Sequence, residues 1–267
     1  MRDTRAEQTR TKLSLRPLQT AVRLLAVASG LILMAGMPSP GSAADEQDID
    51  IALNLAQFLR SARTVISSNQ DLINNPDVGD KGLDGETVVA AAMEKYQLAT
   101  GTDPNSLDPA SLEGRLHQAQ MDAIISVMEE NQATINKQGL GFKGFVPAVF
   151  ARLVNENFRT NVGQIADVKV TAPPELVRNR KALPDDWESQ IIESELMKSD
   201  WPKDKIYTAQ VPKNGREAFR ILIPEYYSEG CLSCHGEPRG EIDVTGYPKE
   251  GGKLGDLGGV ISIALFR

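Results

Sequence analysis

The chain has 267 residues, 24% charged and 41% hydrophobic, with a net charge of −7, two cysteines and two histidines. That length and apolar content suffice for one large domain or two small ones, each with a core. The acidic balance excludes a nucleic-acid binder, and two histidines leave no Ser/His/Asp constellation once one of them is committed to other chemistry.

Residues 1–44 differ from the rest. A basic start with Arg2, Arg5, Arg10, Lys12, Arg16 and Arg23 leads into an apolar run of 14 residues, Leu24 to Met37, and then PSPGSAA. The run is short for a bilayer span, and small residues follow it, so the pattern predicts a signal peptide at 1–44, cleaved after about Ala44. The alternative is a retained anchor. Cleavage implies a periplasmic or otherwise exported protein with no stable membrane span. It leaves 23 basic against 34 acidic residues, a net charge near −11, which suits a solvated surface or steering towards a basic redox partner.

From Asp45 to about Asn74, Ile51, Leu55, Phe58, Leu59, Ala62 and Ile66 recur at helical spacing, and Pro76 and Gly79 end the pattern. A second helix is predicted from Gly85 to Thr100, stopped by Gly101. A third opens at Asp108-Pro109 and runs to Gly139, and another starts at Pro147. The pattern then changes to β. Residues 168–172, 206–211, 217–226 and 258–266 are rich in β-branched and aromatic residues, and 212–215 (PKNG) reads as a hairpin turn. One helix, about 185–199, lies between the first strand and the hairpin. The expected class is α+β: a helical N-terminal region, 45–138, packed on a small, mostly antiparallel sheet.

The two cysteines lie together, in EGCLSCHGEP at 229–238. A structural zinc site needs four ligands, and filling it from Cys231, Cys234, His235 and His117 would ask adjacent residues to reach one tetrahedral ion. A redox dithiol normally opens a helix after a strand, yet GEPRGEIDVTGYP is too rich in Gly and Pro for one. The third reading is c-type haem attachment. In Cys-X-X-Cys-His each thiol forms a thioether to a haem vinyl group, and the histidine becomes the proximal iron ligand. Export agrees with it, and one motif implies one covalent haem c.

GFKGFVPAVFARLVNENF, VKVTAPPELVRNRKALPDDWE and the last strands around the motif resemble the PAS-like exported c-type haem domain family, long known only as a domain of unknown function. Its members occur free-standing or as the sensor module of bacterial kinases and chemoreceptors. The resemblance covers about 139–267. It implies a PAS-like antiparallel sheet with flanking helices and a helical N-terminal extension, with one haem held by Cys231, Cys234 and His235. On the family's RN segment it places Arg178 where a haem propionate can be paired; the alternative is a loop arginine tied to Asp185 or Asp186. Tyr226 and Tyr227 precede the motif and stand to wall the haem, or simply pack a strand end. Phe142, Phe145 and Phe150 read as core.

Some family members take a helical cysteine as second axial ligand, and this chain has no third cysteine. On the third helix His117, Met121, Ile124 and Met128 share one face. Either His117 or Met128 is the distal ligand, or the stripe is core and the iron is open to water or small molecules. The functional expectation is non-enzymatic: a redox sensor, or a sensor of a diatomic gas ligand, working through a signalling partner protein. The alternative is a periplasmic electron-transfer protein passing single electrons to a redox partner.

Overall fold

The computed structural model describes residues 43–267. The expected signal peptide lies outside the described residues, except for Ala43 and Ala44, which open α1 (Ala43–Ser68). All six residues predicted for the inner face of α1 are buried. The helix breaks at Asn69, whose side chain donates to the Val65 carbonyl, and one turn follows as α2 (Gln70–Ile73). α3 (Gly85–Thr100) is capped by the Asp84 carboxylate accepting from the Thr87 amide, and ends on Gly101 at φ 75°. α4 (Leu112–Ile135) starts later than predicted. Asp108 and Pro109 form a turn, and Ser111 is the residue whose side chain caps the helix. α5 (Pro147–Val162) opens on its proline.

The strands are β1 (Ala166–Thr171), β2 (Tyr207–Gln210), β3 (Ala218–Tyr226) and β4 (Leu257–Phe266). They form one antiparallel four-stranded sheet in the order β1-β4-β3-β2. The predicted hairpin joins β2 to β3 through Asn214 (φ 54°) and Gly215 (φ 75°). Pro224 lies within β3 but past the end of β2, so its missing N–H costs no bond on that side. Between β1 and β2 comes α6 (Asp186–Ile191), prolonged by a π-helical turn, Ile192–Leu196. A last short helix, α7 (Leu232–His235), follows β3.

Strand alternation sorts the sheet into two faces. Phe219, Ile221 and Ile223 of β3, with Ile261, Ile263 and Leu265 of β4, pack in one core with residues of α1, α3, α4 and α5. Leu222 and Val260 point the other way, beneath Ile191, Ile192, Leu196 and Trp187. On that second face Arg220 and Glu188 are wholly enclosed and joined to each other, with Asp185 on Arg220 and Ser262 on Glu188. The fold is thus α+β with helices on both faces of an antiparallel sheet. The main core runs from Ile51 to Leu265, so segments 45–138 and 139–267 are built on the same apolar interior. No described helix is long and apolar enough to cross a membrane.

Candidate cofactor site

The site grows from the end of β3. Glu225 is clamped by Arg60 (2.6 Å) and Arg63 (2.8 Å) of α1, which fixes the strand where its register with β4 shifts. Tyr227 then bonds through its amide to the Asp256 carbonyl, and a 3₁₀ turn (Glu229–Cys231) leads into α7. The motif therefore sits on two short turns of helix, with Cys231, Cys234 and His235 all half-buried. Both cysteines are free thiols. Each thiol lies beside a hydroxyl: Ser228 Oγ is 3.3 Å from Cys231 Sγ, and Ser233 Oγ 3.8 Å from Cys234 Sγ.

A long loop returns from Gly236 to Asp256 and is stitched to the motif by main-chain bonds. The Gly251 and Gly252 amides donate to the carbonyls of Gly236 and His235, and the Gly255 amide to that of Tyr227. Inside the loop, Asp243 accepts from the Thr245 and Tyr247 amides and the Thr245 hydroxyl. Burial acts to raise the Asp243 carboxyl, but bonds from Thr245 and Arg178 overcome it and hold the group well below the usual carboxylate range.

Arg178 joins the loop to the motif. Its Nε (2.7 Å) and Nη2 (3.1 Å) grip Glu250, Nη1 reaches Asp243 (2.6 Å) and Thr245 (3.3 Å), and Nη2 also donates to the Cys234 carbonyl (2.8 Å). Those contacts use every donor a guanidinium has. The alternative of a loop arginine tied to Asp185 or Asp186 is corrected: Arg178 is tied to the 243–250 loop and to the motif, and Asp185 pairs with Arg220. Glu250 passes the connection on, its second oxygen 2.8 Å from His235 Nδ1. Burial opposes ionisation of Glu250, yet Arg178 and His235 keep its carboxyl below the ordinary value.

Tyr227 is buried and stacked on His235, ring centroids 5.2 Å apart and 18° from parallel. Its hydroxyl has no hydrogen-bond partner among the described residues, and burial, followed by the charge of Glu250, pushes it up to about 12. Tyr226 instead lies under Lys203, whose Nζ is 5.2 Å from the ring centre.

The structure brings Cys231, Cys234, His235, Tyr227 and Arg178 together, and adds Glu250 and Asp243, which sequence reasoning missed. The signal for Asp243 was present: Asp-Val-Thr-Gly at 243–246 is an Asx-turn pattern. Glu250 had no local signal. His117 and Met128 are enclosed in the helical interior. The His117 ring meets Phe58 of α1 (5.7 Å) and Tyr96 of α3 (5.6 Å) edge to face. Burial lowers its pKa to about 4. Phe145 and Phe150 are core, as expected.

Three features test the fit of a covalently held haem. The thiols are unpaired, the buried Tyr227 hydroxyl is an unused donor, and His235 Nε2 makes no hydrogen bond to a described residue while Nδ1 is held. The donor set fits. A zinc site does not, because no group of three or more His, Cys, Asp and Glu among the described residues is arranged for a metal ion.

Comparison with known proteins agrees with the resemblance drawn from the motif. A family model described as Tll0287-like matches residues 42–265. No curated protein matches. Among solved structures, the chain is similar to the crystal structure of the cyanobacterial heme-protein Tll0287, at 13% identity over 55% of this chain and 95% of that one, with a TM-score of 0.35. With the family model covering nearly the whole described length, the chain belongs to the Tll0287-like family.

Proposed function

We propose that this chain is an exported, non-enzymatic mono-haem c protein that senses redox state or a small ligand and reports it to a signalling partner. Cys231 and Cys234 hold the haem as thioethers, and His235 ligates the iron through Nε2. When bound, the haem supplies a one-electron couple and an iron position that small molecules can reach. The observation that carries this reading is the arrangement of His235: one ring nitrogen is fastened to Glu250, the other has no described partner, and two free thiols precede it. Membership of the Tll0287-like family, whose namesake is described as a cyanobacterial heme-protein, supports the same cofactor class.

Sensing is favoured over electron transfer because both internal candidates for a distal ligand are built into the helical core. His117 is ringed by Phe58 and Tyr96, and Met128 is fully enclosed. An electron carrier works best with a closed, six-coordinate iron that changes little on reduction. The test is expression with periplasmic haem-loading machinery, acid-acetone extraction and mass spectrometry, followed by visible spectra of the ferric, ferrous and carbon-monoxide-treated protein. Retained haem and rapid carbon monoxide binding are expected. A colourless mature chain would sink the haem reading, and a low-spin iron inert to carbon monoxide would favour the carrier.

A further inference from the structure

We infer that Glu250 and Arg178 form a pair of opposed charges that positions His235 and sets the electron affinity of the site. This rests on His235 being the axial ligand. An ionised carboxylate can only accept hydrogen bonds, so the 2.8 Å contact between Glu250 Oε2 and His235 Nδ1 places the imidazole proton on Nδ1. The lone pair is then on Nε2, the nitrogen without a described partner. Ring orientation is fixed as well as tautomer. Tyr227 stacks on one face, the Gly252 amide holds the His235 carbonyl at 2.8 Å, and Arg178 holds the Cys234 carbonyl at 2.8 Å.

The partner of a ligating histidine tunes the ligand. An anionic acceptor makes the imidazole a stronger donor, which stabilises the oxidised metal and lowers its potential, whereas a neutral acceptor does so less. Glu250 is such an anionic acceptor. Arg178 works against it, since it grips the same carboxylate through Nε at 2.7 Å and Nη2 at 3.1 Å and drains charge that would otherwise fall on His235. Asp243, bonded to Nη1 at 2.6 Å, in turn offsets Arg178. The series Asp243–Arg178–Glu250 therefore alternates in sign and ends on the neutral His235, and its members have opposite effects at the ligand. Glu250 is a positioning residue that acts through His235; Arg178 acts through Glu250.

Opposite signs make the inference testable against simple structural damage, which would move both variants the same way. Haem content is measured for the wild type, E250Q and R178Q by the pyridine haemochrome method, and midpoint potentials by spectroelectrochemical titration. E250Q keeps the shape and removes the charge, so its potential should rise; R178Q leaves Glu250 uncompensated, so its potential should fall. Resonance Raman of the ferrous protein adds a local readout, with the iron–histidine stretch falling in frequency in E250Q. Shifts of the same sign in the two variants, or an unmoved potential in E250Q, overturn the inference. Where E250Q does not retain haem, E250D decides: retention at the wild-type potential supports the role of the carboxylate, and loss overturns it. A wild type without covalent haem sinks the functional reading instead, so the two failures are told apart.

Discussion

Tyr227 is held against His235 by glycine. The two rings lie 5.2 Å apart at 18°, and the far edges of the tyrosine ring fill the space that side chains at 252 and 258 would need. A Cβ built on Gly258 meets Tyr227 Cε1 at 2.2 Å, and one on Gly252 meets Cε2 at 2.4 Å. G258A must displace the ring or the β4 backbone, an overpacking cost of about 1–3 kcal/mol. The expected result is a lower melting temperature together with a changed near-ultraviolet circular dichroism band; an unchanged band would mean the ring is not held there.

Attachment and ligation are separate chemistries, so they should fail separately. C231S/C234S should lose haem on acid-acetone extraction. H235A should retain part of it through the thioethers while its ferric and ferrous spectra shift. Identical spectra for H235A and wild type would remove His235 as ligand.

His117 gives a pH dependence of stability with a defined window. Its folded pKa is depressed by burial from 6.5 to about 4, so above about 6.5 it is neutral in both states and has no effect. As pH falls from 6.5 towards 4 the unfolded chain takes up a proton that the folded one refuses, and stability is lost. The loss is on the order of 3 kcal/mol once pH is below the folded value. Denaturant titrations at pH 7, 5.5 and 4 should show it, and H117L should flatten that part of the profile. The visible spectrum of the haem-loaded H117L should match wild type; a spectral change would restore His117 as an axial ligand.

Glu188 is a fully enclosed carboxylate. Its side chain is fully buried, accepts from Arg220 Nη2 at 3.1 Å, Ser262 Oγ at 2.6 Å and Lys169 Nζ at 2.5 Å, and also takes the Asp185 amide at 2.8 Å. Removing one partner of a buried pair leaves the other uncompensated, so E188Q should cost about 3–5 kcal/mol. K198Q breaks only the exposed Lys198–Glu195 pair and should stay within about 0.5 kcal/mol. Chemical denaturation of both variants distinguishes a buried ionic centre from a surface one.

Period and punctuation carried the elements. α1 and α3 declare themselves because one face must be apolar, and β3 and β4 because both of their faces are covered. The start of α4 was misread because Asp108-Pro109 and Ser111 are both good openings; the choice fell to Ser111 once Asp108 had spent its hydrogen bonds on the turn. The motif residues were legible because their spacing is itself the chemistry. Their supports were not. Arg178 and Glu250 are separated by 72 residues, and nothing local says that a guanidinium from one loop will find a carboxylate in another. The stripe of His117 and Met128 looked identical to a ligand face because a helical core and a ligand face use the same period.

The order of strands in the sheet has a consequence for how the chain is made. β4, the strand furthest along the sequence, lies between β1 and β3 and is hydrogen-bonded to both. Until residues 257–266 arrive, β1 has no neighbour, β3 has only the short β2, and the loop carrying Glu250 has no fixed far end. Pairings this distant in sequence form late. While the chain is being made, Cys231 and Cys234 therefore precede the strand that braces them, and the insertion of β4 is the step that fixes the loop carrying Glu250 beside the motif.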